Sequence, residues 1–109
     1  MAKTAGKLDD KFTQGSGRIF ISSNQALVRL PMMQRQRDLA AGLNTAGFIT
    51  GYRGSPIGVY DTALWAASEH LKESQIRFHP GVNEELAAST VRGTQWLHYY
   101  KEAKYQGIF

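Results

Sequence analysis

The stretch from His79 to Thr94, HPGVNEELAASTVRGT, joins a Pro-Gly turn to an Asn and two carboxylates at the head of a segment of small residues. A carboxylate in the first turn of a helix lies at the positive end of the helix dipole, which favours its ionised form. Held at the mouth of a parallel sheet and shielded from solvent, Glu84 could act on a bound ligand. As an ordinary first-turn acid it would contribute only about 0.3–1 kcal/mol to the helix. Ala87, Ala88, Ser89, Thr90 and Gly93 let another element, a partner subunit or a flat ligand come close. A second turn, GYRGSPIG from Gly51 to Gly58, falls at the equivalent point after the preceding predicted strand. Its glycines allow the backbone to approach a ligand, Ser55 adds a hydroxyl, and Pro56 stiffens the exit. The turn is neither GxGxxG nor a phosphate loop ending in GK[ST], so no nucleotide fingerprint applies.

Several chemistries are excluded by composition. With no cysteine, the 109 residues offer no disulfide, thiolate nucleophile or iron–sulfur ligation. His70, His79 and His98 are too scattered for a metal motif, and no metal site is expected. No apolar run is long enough to span a bilayer, and the N-terminus carries no apolar signal segment, so a cytoplasmic location is expected. The net charge of +4 is uneven: residues 1–37 hold seven Lys/Arg against two Asp, the remainder six against seven acids. Arg29, Arg35 and Arg37 read as the solvated face of a helix, and no nucleic-acid partner is expected.

The elements that must position the two turns follow from periodicity. Residues 1–16 read as a flexible arm, and residues 17–109 as one α/β unit. Arg18 to Ser22 (RIFIS) suits an edge strand. Ser22 and Gln25 form a capping box for a helix that Pro31 is expected to break and restart. Met33, Leu39, Ala40 and Leu43 mark its predicted inner face. A strand over Gly47–Tyr52 precedes the first turn. A helix from Val59 or Asp61 to Leu71 follows, with Leu64, Ala67, Ser68 and Leu71 inward. Ile76–His79 is the next strand, a helix runs from Asn83 to about Tyr100, and Tyr105–Phe109 begins another strand. This alternation predicts a parallel sheet with crossover helices. Such sheets need cover on both faces. Three strands and three helices do not supply it, so the chain is expected to be the leading part of a longer domain.

The wording of two segments resembles a known family. LVRLPMMQRQRDLAAGLNTAGFITGYRGSPIGVYD, from Leu27 to Asp61, and FHPGVNEELAAST, from Phe78 to Thr90, are similar to the N-terminal part of the long, fused bacterial indolepyruvate:ferredoxin oxidoreductases. These are thiamine-diphosphate-dependent 2-oxoacid:ferredoxin oxidoreductases. The resemblance spans Leu8 to Phe109 and departs from the family's wording at Val59 and Arg92 and from Trp96 to Glu102. It implies an incomplete, N-terminal part of a thiamine-diphosphate pyrimidine-binding domain. Glu84 would then hydrogen-bond a nitrogen of the cofactor's aminopyrimidine ring. Ser55, flanked by Gly54 and Pro56, would lie near the cofactor or the substrate carboxylate. The implied reaction is oxidative decarboxylation of an indolepyruvate-type acid to an acyl-CoA, with electrons passing to ferredoxin. Magnesium, the 4Fe–4S clusters and a diphosphate-binding domain would belong to the remainder of the enzyme, and these 109 residues would be inactive alone. The residues also permit a non-catalytic α/β interaction module, in which Glu84 merely starts a helix. A third reading is a basic nucleic-acid adaptor using Lys3, Lys7, Lys11 and Arg18.

Overall fold

The computed structural model describes residues 6–109. In chain order the elements are α1 (Asp10–Thr13), α2 (Ser23–Ala40), β1 (Thr45–Ile49), α3 (Gly58–Ala66), α4 (Ser68–Glu73), β2 (Ile76–Phe78), α5 (Glu84–Thr94) and β3 (Gly107–Ile108), with a 3₁₀ turn at Leu97–Tyr99. The three strands form an all-parallel sheet in the order β2-β1-β3. Gly47 lies level with Ile76, and Ile49 with Phe78, in the β1–β2 register. The expected mixed α/β architecture with a parallel sheet is therefore present.

The core lies on one face of the sheet. Val28 and Met32 of α2, Leu64 of α3, Ala67, Leu71 of α4 and Ile76 of β2 pack together there, with Phe109 against them. Gly47 has no side chain because none fits. A Cβ there would come within 2.7 Å of the Phe109 ring and 2.8 Å of Ile76. The inner residues of α3 and α4 are those expected, except that Ser68 is exposed, and the helix is divided at Ala67.

Helix α2 departs from expectation in three ways. Its capping box is complete: the Gln25 N–H donates to Ser22 Oγ at 3.3 Å and the Ser22 N–H to Gln25 Oε1 at 3.1 Å. Yet Pro31 does not break it, and the helix runs unbroken through that position. Proline lacks the N–H that would bond the carbonyl four residues back. That carbonyl belongs to Leu27, and the Tyr60 hydroxyl of α3 donates to it at 3.2 Å. The inner face is also different: Val28, Met32 and Arg35 are buried, while Leu39 and Leu43 are exposed. Arg35 is only 9% exposed, not solvated. Its guanidinium donates to the Thr45 carbonyl and, at 3.0 Å, to Asn44 Oδ1, bracing the turn that leads into β1.

The segment Arg18–Ser22 forms no strand, and Phe20 is fully exposed. Ser22 is engaged as the cap of α2, which turns the chain away before it can pair. The arm is partly ordered. Arg29 donates to the carbonyls of Lys11 at 2.7 Å and Gln14 at 2.5 Å, and the Phe12 ring rests 5.3 Å from His70. Residues 1–5, Lys3 among them, lie outside the described residues. At the other end, the helix expected to reach Tyr100 stops at Thr94.

The second face of the sheet is partly open. A groove of about 710 Å³ curls round the outer edge of β2, lined by Trp65 and Phe78 on the core side and by Phe48 and Ile108 on the other. The accessible surface is 8362 Å², against about 6,000 Å² for a compact monomer of this mass.

Burial raises the Tyr60 pKa above its ordinary value of 10.0. Tyr60→Phe leaves the Leu27 carbonyl unpaired and is expected to lower unfolding free energy by about 1 kcal/mol. Below pH 10 the hydroxyl is protonated in folded and unfolded chains alike. Above it the unfolded chain ionises first, so stability falls with rising pH. Urea unfolding followed by circular dichroism should show that alkaline loss in the parent and a shallower one in Tyr60→Phe.

Candidate functional site

In open parallel sheets, ligands bind outside the carboxyl ends of the strands, where helix N-termini converge. Both turns singled out in the sequence lie at this edge. The β1 turn spans Thr50 to Ile57 and leads into α3; the β2 turn spans His79 to Asn83 and leads into α5. Main-chain bonds fasten the two together: the His79 N–H donates to the Ile49 carbonyl at 2.9 Å, and the Gly81 N–H to the Gly51 carbonyl. Gly81 permits this approach. A Cβ there would stand 3.0 Å from the Ala87 Cβ and 3.3 Å from both the Gly51 oxygen and Thr50 Oγ1. Thr50 Oγ1 is itself buried and, among the described residues, has no hydrogen-bond partner.

The start of α5 is built as its letters suggest. Asn83 is extended, and its side-chain oxygen accepts from the Leu86 N–H at 2.9 Å. This cap orients the first turn, in which Glu84 and Glu85 meet the positive end of the dipole. Glu84 is exposed, however, where shielding had been expected, because no described element covers the carboxyl edge above it. Among the described residues its carboxylate is in no ion pair. Val82 before it and Leu86 after it are also exposed, at 83% and 52%.

The β1 turn is tight. Gly54 has φ +93°, a conformation costly for side-chain-bearing residues. The Gly58 N–H donates to the Ser55 carbonyl at 3.0 Å, so Ser55 is half-buried at the threshold of α3, while Pro56 is exposed. Between the two turns lies a cleft of about 590 Å³, lined by Arg53, Gly54, Asp61, Trp65, Gly81 and Val82 among others. That volume falls in the range of small-molecule sites. Of the residues expected to form a site, only Gly54 lines it; Ser55, Pro56 and Glu84 do not. Arg53, Asp61 and Trp65 were not singled out from sequence. Arg53 lies inside the same turn motif, but Asp61 and Trp65 read as ordinary helix residues. Trp65 stands edge-on to Phe78, with ring centres 5.2 Å apart, which holds the indole at the cleft wall.

Three features of this edge bear on what could bind there. A carboxylate in no ion pair among the described residues stands at a capped helix start. Exposed apolar side chains flank it, and an unpaired hydroxyl lies at the base of the adjoining turn. Such a group offers one hydrogen-bond acceptor beside apolar surface, as a flat heteroaromatic ring requires. Among the described residues no group of His, Cys, Asp and Glu could hold a metal ion, and no helix is long and apolar enough to cross a membrane.

Gly81→Ala is expected to push the β2 turn away from Gly51. It should destabilise the chain by about 1–3 kcal/mol, measured as a lower denaturation midpoint, with faster hydrogen exchange at the residue 81 amide. No protein-family model matches the chain, and neither a curated protein nor a solved structure matches it.

Proposed function

We propose that the carboxyl edge of β1 and β2 is the pyrimidine-binding half of a thiamine diphosphate site. On this reading the chain is the leading part of a pyrimidine-binding domain in an indolepyruvate-type 2-oxoacid:ferredoxin oxidoreductase. The observation that carries the reading is Glu84: a carboxylate in no ion pair among the described residues, at the first position of a capped helix, beside a turn that carries Ser55. The motif wording described above adds the family.

Thiamine diphosphate, when bound, supplies the electron sink for decarboxylating a 2-oxoacid. The chain's own residues control a proton and a position. Glu84 holds a proton at the N1′ nitrogen of the aminopyrimidine ring through a charge-assisted hydrogen bond. Val82 and Leu86, both exposed, would offer apolar surface to the ring. Ser55 would offer its hydroxyl to the cofactor or the substrate carboxylate, and Gly54 and Pro56 shape the turn that carries it. Magnesium, the diphosphate-binding domain, the 4Fe–4S clusters, coenzyme A and ferredoxin engage other parts of the enzyme. A second reading, a non-catalytic interaction module, is favoured by the open apolar groove beside β2.

Glu84→Gln keeps the size of the side chain but removes the charge. In the oxidoreductase that carries this sequence, turnover is expected to fall on the order of 10²–10³-fold, as when one preorganised hydrogen bond is lost at a reacting centre. Thiamine diphosphate affinity should fall with it, while circular dichroism stays unchanged. Turnover within a few-fold of the parent would exclude the role assigned to Glu84 and leave the interaction module.

A further inference from the structure

The cleft between the two turns contains neither Glu84 nor Ser55, and nothing above gives its charges a task. Arg53 and Asp61 both line it. Among the described residues neither is in an ion pair, so they do not neutralise each other across a short contact. The guanidinium of Arg53 presents a planar fork of donors that matches a carboxylate. Asp61, in the first turn of α3, places a negative charge in the same space. Such a cleft accepts one negative charge at Arg53 and sets a second one against Asp61. The rest of its wall is mixed: Trp65, braced by Phe78 and 57% exposed, and Val82 are apolar, while Thr62 is polar.

We infer that Arg53 and Asp61 set the charge selectivity of this cleft. A monocarboxylate with a flat apolar body binds, its carboxylate on Arg53 and its ring against Trp65, and a dicarboxylate is turned away by Asp61. The inference rests on the proposed oxidoreductase reading for its natural ligand, a 2-oxoacid, and on the cleft alone for the selectivity.

The test is an NMR titration of the chain without thiamine diphosphate. It follows the indole N–H of Trp65 and the backbone amides of Gly54 and Gly81. The probes are 3-phenylpropanoate, its neutral amide, and the dianion phenylsuccinate. Saturable shifts are expected with 3-phenylpropanoate, and affinity roughly tenfold weaker or worse for the other two, the scale of one charge-assisted hydrogen bond. Arg53→Gln should erase the preference for acid over amide. Asp61→Asn should bring phenylsuccinate level with 3-phenylpropanoate. No saturable shift at Trp65, equal binding of acid and amide, or an unchanged dianion penalty in Asp61→Asn would each overturn the inference. Because the titration contains no thiamine diphosphate, it does not read Glu84. Selectivity lost while turnover still depends on Glu84 sinks this inference alone, and the reverse outcome sinks only the cofactor assignment.

Discussion

Two turns can share one ligand only if the strands that carry them end level and the backbones at those ends can touch. Here β1 and β2 run parallel in register, and the contact between Gly51 and Gly81 joins their exits. The absence of a side chain at Gly81 sets the separation of the β2 turn from Thr50 and from the first turns of α5. Gly47 has the same function one layer down, where Ile76 and Phe109 close over it and draw the strands onto the core. The candidate site therefore depends on close backbone approach at glycines. Glu84, Arg53 and Ser55 hold their positions because those backbones meet.

Elsewhere the fold depends on polar groups that repair local faults. Pro31 leaves the carbonyl of Leu27 without its helical donor. The hydroxyl of Tyr60 supplies the missing donor from another helix, and thereby also ties α3 to α2. Arg35 occupies a buried position that an apolar residue would ordinarily fill. Its charge is tolerated because the Thr45 carbonyl and Asn44 accept from it, while the Thr45 hydroxyl donates to Asp38 at 2.5 Å. Buried polar groups of this kind specify one arrangement, since most alternatives leave a donor or acceptor unpaired.

The openness of the carboxyl edge bears directly on the proposed function. A carboxylate in water exchanges one hydrogen-bond partner for another at little net gain, whereas in a water-poor site the same bond is strong and oriented. Glu84 stands exposed beside Val82 and Leu86, so the proposed chemistry requires a second surface to close over this edge. The cleft at Arg53 has a different character. Its walls come from α3 and the two turns.

Much of this was legible in the letters because the signals are local. The Ser22–Gln25 box, the Asn83 cap, the strand–helix alternation and the glycine-rich turns all act within a few residues, where side chain and backbone meet regardless of the rest. The expectation of a broken helix at Pro31 failed because its remedy, Tyr60, lies 29 positions away in sequence. The inner face of α2 was misjudged for a similar reason: Arg35 is buried by a bond to the head of a strand that no periodicity announces. RIFIS has the composition of a strand but no neighbour to pair with. The sequence by itself thus determined the strand–helix alternation from Thr45 onward and the two turns that follow β1 and β2. Only the tertiary structure decided that β1 is central, that Arg53, Asp61 and Trp65 line one cleft, and that Glu84 faces solvent. Propensity and capping are short-range forces; strand order, burial and the meeting of distant charges are consequences of packing.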